Sequence, residues 1–333
     1  MKSVIVLTAL YIGVINCYSD YLLWTDFKTK HLKTYSLHEE QPRFSVFQQN
    51  LRKIEQHNAR YIKGEASYFL TITKFADWTK EEVQKFLRPL PENKLALRSV
   101  DQNPVRADYP DSFDWRDHGA VSEIQDQGQC LSGWAFAAAG ALEGRYAALE
   151  KELIALSAEE LIDCSTYENT KCEKGGIAEY SYYYIQGSGL SSIEQYPYTA
   201  SNGVPSTCYG KNITNKPIEP LGNFGIIQQT EDAIKGFIAG YSPISTHVQV
   251  IDDWLLYGGG VYDNPKCGNG LATLNHGILA VGYGVDEKEG KEYFTLKNSW
   301  GSDWGENGYI RVVRNKKQCG ISTRASFPLL WFE

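Results

Sequence analysis

The stretch Gln127-Gly128-Gln129-Cys130-Leu131-Ser132-Gly133-Trp134-Ala135-Phe136 reads as a loop running into an Ala-rich helix of roughly 134–151. A helix start is the place where the macrodipole lowers the pKa of a thiol. Far downstream stand His276, in Leu274-Asn275-His276-Gly277, and Asn298, in Lys297-Asn298-Ser299-Trp300-Gly301. Acyl transfer by a thiol needs a thiolate, a histidine partner, a group that orients the histidine and an oxyanion hole. His276, Asn298 and Gln127 are residue types for the last three. The helix start itself offers only Ser132 and Gly133. A lone histidine is more often a hydrogen-bonded structural residue, so company decides its reading.

That company resembles the papain-like cysteine peptidases, in particular the cathepsin L-like proenzymes. Their active-site signature is C-G-S-C-W, and the same five positions here read Cys130-Leu131-Ser132-Gly133-Trp134. The resemblance implies that Gly133 occupies the nucleophile position. His276 matches the catalytic histidine, 143 residues after Gly133, inside the family interval of about 130–150. Asn298 matches the orienting asparagine, Trp300 the residue that shields that pair from water, and Gln127 the oxyanion-hole glutamine. Cys172-Glu173-Lys174-Gly175-Gly176 resembles a C-N-G-G turn with one extra residue. Gly175 and Gly176 would let a substrate backbone approach closely. Leu274 and Asn275 flank the histidine on the same cleft edge. Leu131 adds bulk where the family has glycine. The family places the floor of its main specificity pocket five residues after Cys319, at Arg324. That arginine either favours an acidic ligand group or swings out to solvent.

Cysteine usage fits a secreted chain. Met1 to Cys17 is a positive residue followed by an apolar run, read as a cleaved signal peptide rather than a buried strand. No later run approaches the about 18 apolar residues that cross a bilayer. Six cysteines remain, and three disulfides are the default in an oxidising compartment. Six allow 15 pairings. The resemblance implies Cys130 with Cys172, Cys164 with Cys208 and Cys267 with Cys319, leaving no free thiol. Asn212-Ile213-Thr214 is a glycosylation sequon.

These residues need positioning elements. At 333 residues and 42% apolar, the chain can bury a substantial core. Its 22 Tyr and 8 Trp suit interfaces and clefts. A net charge of −7 without a basic run argues against nucleic acid. A helix is expected over 20–33. A second is expected from about Arg43 to Tyr61, starting near Pro42 because proline is tolerated only in a first turn. Glu39, Arg43, Phe47, Asn50, Ile54 and Asn58 lie near one face and match the E-R-F-N-I-N helix of cathepsin L-like propeptides. Tyr68 to Thr73 alternates like a strand. Lys74-Phe75-Ala76-Asp77 matches part of a second propeptide motif. Thr79 with Glu82, and Ser157 with Glu160, form capping boxes. Pro89 to Asp108 reads as a linker, and Tyr109 to Arg116 looks like the start of a mature enzyme. Short β-type runs follow at 243–245, 278–281, 293–296 and 309–313.

The expected fold is α+β: a two-domain papain-like fold with a helical left domain and a β-barrel-like right domain, preceded by a helical propeptide. Its parts are a signal peptide at 1–17, an inhibitory propeptide at 18–108 and a peptidase domain at 109–333, helical over about 118–220 and β-rich over 221–333. The preferred function is a secreted or lysosomal, proteolytically inert homologue. It would be a monomer that binds a peptide or protein ligand in the cleft and is covered by its own propeptide. The rivals are an active cathepsin L-like endopeptidase and a storage or surface protein without a specific ligand. No metal, cofactor, membrane or nucleic acid is expected.

Overall fold

The computed structural model describes residues 19–90, 109–165 and 171–330. The signal-peptide reading, most of the 89–108 linker and the expected cleavage region before Tyr109 lie outside them. Helix α1 (19–30) and helix α2 (Leu37–Ile62) open the chain. Trp24 stacks on Phe27 and Tyr35 and packs on Phe44 and Phe47, joining the two helices. Helix α2 starts before Pro42, which lies inside it. The reason is local: the Glu39 carboxylate accepts from the Ser36 N–H at 3.0 Å and from its hydroxyl at 2.7 Å. That cap fixes the first turn ahead of the proline.

The E-R-F-N-I-N face does separate jobs. Arg43 grips Glu82 with both terminal nitrogens. Asn50 donates to the Ala76 carbonyl at 2.8 Å. Asn58 donates to Leu70 O and accepts from Leu70 N, both at 2.8 Å. Phe47 and Ile54 are buried. Strand β1 is only Tyr68–Leu70, shorter than the alternation suggested. Thr71 and Thr73 leave the ladder and bond the carbonyls of Leu256 and Leu255. Helix α3 (Lys80–Phe86) carries the Thr79–Glu82 capping box.

Beyond Tyr109 come β2 (Phe113–Asp114), α4 (Gly133–Glu150), α5 (Ala158–Cys164) and α6 (Ala178–Ser188). Ser157 caps α5 by accepting from Glu160 N at 2.9 Å. The reciprocal arm of the box is not made. The Glu160 carboxylate turns instead to Tyr184, Ser191 N and Lys216. Then follow β3 (Asn223–Ile226), α7 (Glu231–Gly240), β4 (Ile244–Val248), α8 (Asp252–Leu255), β5 (Tyr257–Tyr262), β6 (His276–Val285), β7 (Glu292–Lys297), β8 (Tyr309–Val313) and β9 (Ala325–Leu329). The strands run in the order β1-β5-β8-β7-β6-β4-β9-β3, with β2 on β6. All pairs are antiparallel except β5 with β8. The end strands β1 and β3 do not pair, so the sheet of the expected β-barrel-like right half is not closed.

Two features matter for the site. First, α4 lies against β6 through small residues: Ala141 packs with Leu279 and Val281. Second, the 19–90 segment is continuous with the β half. Trp24, Phe47, Tyr68, Phe75 and Phe86 share one buried cluster with Tyr257, Phe294, Trp300 and Trp304. Disulfides join Cys130–Cys172, Cys164–Cys208 and Cys267–Cys319. None of the described helices is long and apolar enough to cross a membrane.

Candidate active site

Gly133 is the first residue of α4 and His276 the first of β6. The packing of α4 on β6 brings them together. An ideal Cβ on Gly133 would stand 2.6 Å from His276 Cε1, 2.8 Å from His276 Nδ1 and 2.6 Å from Gly277 O. The other ring nitrogen, Nε2, is 2.8 Å from Asn298 Oδ1. The asparagine oxygen can only accept, so Nε2 carries the proton and the free lone pair of Nδ1 is turned towards Gly133. Trp300 covers the pair, its ring 4.9 Å from the imidazole. Burial pushes the His276 pKa down to about 4, and the Asn298 hydrogen bond only partly opposes this. The ring is neutral at neutral pH.

Gln127 is buried beside this pair. Its amide nitrogen donates to Cys130 O at 2.7 Å, and its oxygen accepts from the Ser299 hydroxyl at 2.7 Å. One amide N–H remains for another partner. Ser132 does not replace a nucleophile: it is fully buried, its hydroxyl 3.5 Å from Cys130 O and 3.4 Å from the Tyr198 hydroxyl. All six cysteines of the described residues are in disulfides.

The remaining expected ligand contacts divide. Gly175 has a positive φ of 74°, and a Cβ there would come within 3.2 Å of Leu131 O. Gly175, Gly176 and Leu131 line the space in front of Gly133. Leu274 has a buried side chain, but its carbonyl faces the cleft and accepts from Leu90 N at 3.0 Å. Asn275 turns its amide to both backbone groups of Val250, at 2.7 and 3.0 Å. Its side chain therefore holds the loop before β6. Arg324 does not reach solvent, and its charge is already met. Its Nε lies 3.2 and 3.3 Å from the two carboxylate oxygens of Glu179, and both residues are buried. Asn212 is exposed in a short 3-10 turn, as a sequon must be to be modified.

The 19–90 segment closes the site. Phe75 and Phe86 pack on Trp300 at 5.2 and 5.8 Å. Arg88 donates to Glu173 O on the helical side at 3.3 Å, while Leu90 bonds Leu274 on the β side. Sequence reasoning missed Phe86, Glu179 and His247. His247 on β4 is buried, and neither ring nitrogen has a partner. Phe86 sits in a helix whose apolar face looks ordinary, and Glu179 and His247 lie in runs with no charge pattern.

A helix start, a histidine–asparagine pair and a covering segment across two walls define a cysteine-peptidase proenzyme architecture. The chain belongs to the papain family: residues 109–329 match the model of papain family cysteine protease, and residues 24–83 match the cathepsin propeptide inhibitor domain. It is 38% identical to a cathepsin L-like proteinase of Phaedon cochleariae, over 99% of this chain and 100% of that one. It is 35% identical to procathepsin L of Felis catus, over 92% and 91%. Digestive procathepsin L 3 of Tenebrio molitor larval midgut superposes with a TM-score of 0.83 at 36% identity, covering 93% of this chain and 99% of that one.

Proposed function

We propose that this cathepsin L-like chain has lost peptide hydrolysis and acts by binding, as a monomer on the secretory or lysosomal route. The observation that carries this is the residue opposite His276. It is Gly133, which has no sulfur and no oxygen. A neutral histidine with a pKa near 4 also lacks the thiolate that would hold it charged. His276, Asn298 and Gln127 are the remnant of the catalytic set. Gly175, Gly176, Trp300 and the Leu274 backbone are the cleft surfaces left for a ligand. Without a nucleophile the chain cannot cut its own pro-segment, so separation after residue 108 requires another protease. Loss of triad members in serine peptidases leaves about 10³–10⁴-fold catalysis over water, too little for a working peptidase.

The test uses the purified chain from residue 18 onward, without the signal peptide and its Cys17. We expect no titratable thiol without reductant, no turnover of fluorogenic peptides at about pH 5–6, and no self-processing on acidification. Turnover at the pace of active relatives would restore the reading of an active endopeptidase. Binding of peptides without turnover separates a ligand-binding protein from a storage protein.

A further inference from the structure

An open groove of about 1080 Å³ runs between the pro-segment and the helical half. Leu32, Trp78 and Lys85 line it from one side, and Gln129, Leu131 and Gly203 from the other. It therefore exists only while the pro-segment stays in place.

Leu32 gives the groove its character. Helix α1 ends there in a Schellman turn: Lys33 N donates to Lys28 O at 2.9 Å, and Leu32 N donates to Thr29 O at 3.4 Å. Leu32 holds the left-handed position of that turn, with a φ of 51°. Glycine sits there at little cost, and a larger side chain is strained. Yet Leu32 is 89% exposed, so packing within the chain does little to offset the strain. An exposed leucine alone says little; one held at a strained position on the wall of a groove is an anchor looking for cover. Leu131, where the papain signature has glycine, puts a second apolar side chain on the opposite wall.

Charge selects the occupant. Asp77, Glu82 and Asp126 in the lining are paired with Lys33, Arg43 and Lys74, and Asp303 faces His31 at 3.2 Å. Lys30 and Lys85, on the same wall as Leu32, form no ion pair with a described residue. The Glu173 carboxylate lies on the other wall. A uniformly anionic polymer would meet that carboxylate and leave both leucines uncovered. An extended peptide can turn its acids to one wall and its apolar side chains to the leucines.

We propose that this groove docks an extended segment of a partner protein in which acidic and apolar side chains alternate, with Leu32 as anchor and Lys30 and Lys85 as counter-charges. The inference rests on the reading that the chain keeps its pro-segment for want of a nucleophile.

The experiment is fluorescence anisotropy of a labelled peptide alternating glutamate and leucine, titrated with the uncleaved chain from residue 18 onward. Saturable binding is expected, and a lysine–leucine peptide should bind at least about tenfold more weakly. Leu32→Gly should cost about tenfold in affinity. It should not lower the unfolding midpoint, because glycine relieves the strained φ, so that loss of binding is separate from loss of fold. Lys30→Glu combined with Lys85→Glu should cost about fivefold. No binding of the glutamate–leucine peptide overturns the site. So does binding that both variants leave unchanged, or a preference for the lysine–leucine peptide. Heparin binding that Leu32→Gly leaves intact, with no peptide binding, would give the groove to a sulfated polysaccharide and also overturn the proposal. A chain that stays uncut yet binds no peptide removes the groove alone. A chain that binds the peptide and then cuts itself removes the inert reading instead.

Discussion

His276 and Gly133 approach so closely that the histidine ring stands in the space a side chain at position 133 would need. An added Cβ would lie 2.6 Å from its Cε1 and 2.6 Å from the backbone oxygen of Gly277. The ring can rotate, but the carbonyl belongs to β6 and moves only with the strand.

Gly133→Cys should therefore not restore a peptidase by itself. We expect Gly133→Ala and Gly133→Cys each to lose about 1–3 kcal/mol, the usual cost of overpacking, and Gly133→Cys to give no measurable turnover. Denaturant unfolding and a fluorogenic peptide assay check the two statements. Full activity in Gly133→Cys would mean that α4 and β6 separate easily.

The neutral, buried His276 makes stability depend on pH. Its folded pKa of about 4 lies below the ordinary 6.5, so between these values the unfolded chain binds more protons than the folded one. Stability then falls as pH drops from 6.5 towards 4, by up to about 3 kcal/mol from this group. His247, also pushed down by burial and by Arg324, acts in the same direction. His276→Gln should flatten the slope of unfolding free energy between pH 6.5 and 4.5. An unchanged slope would show that the ring is charged in the folded protein.

Arg324 and Glu179 tie the loop before β9 to α6, across the two halves. Glu179→Gln leaves a buried guanidinium without its counter-charge and should destabilise by about 3–5 kcal/mol. The paired change Arg324→Met with Glu179→Leu should cost much less, because it removes both charges together. Urea unfolding of the single and double variants decides this, and equal losses would mean that packing rather than charge matters there.

The edge of β5 is shaped to the pro-segment. Gly260 has a φ of 91°, and a Cβ there would run into Ser67 O and stand 2.8 Å from Tyr68 Cα. Tyr68 is further held by its hydroxyl on Asp253 at 2.5 Å. Gly260→Ala should detach β1 and speed amide exchange at 68–71. It should also raise the cleavage rate of the pro-segment by added protease. Unchanged exchange would mean that β1 is held by its side chains alone.

What could be read from the sequence was what local chemistry dictates. The start of α4, the Thr79–Glu82 cap and strands β4, β6, β7 and β8 follow from short patterns, and each overlaps the stretch those patterns mark, with β4 and β6 running longer. The start of α2 was missed because a proline signal outweighed the Ser36–Glu39 cap. Arg324 could not be read because its partner is 145 residues away in sequence, and no local pattern brings α6 to β9. The amide of Asn275 answers to Val250, a neighbour that only the fold supplies and that no local pattern marks.

The buried cluster that runs from Trp24 through Phe75 and Phe86 to Trp300 and Phe294 has a consequence for how the molecule melts. Oil shared between covering segment and enzyme-like body leaves no seam along which one could let go first, so a single calorimetric peak is expected where a loosely tethered lid would give two. A chain of this kind passes through its lifetime as one cooperative solid, and any protease that opens it must first bear the cost of tearing that common interior.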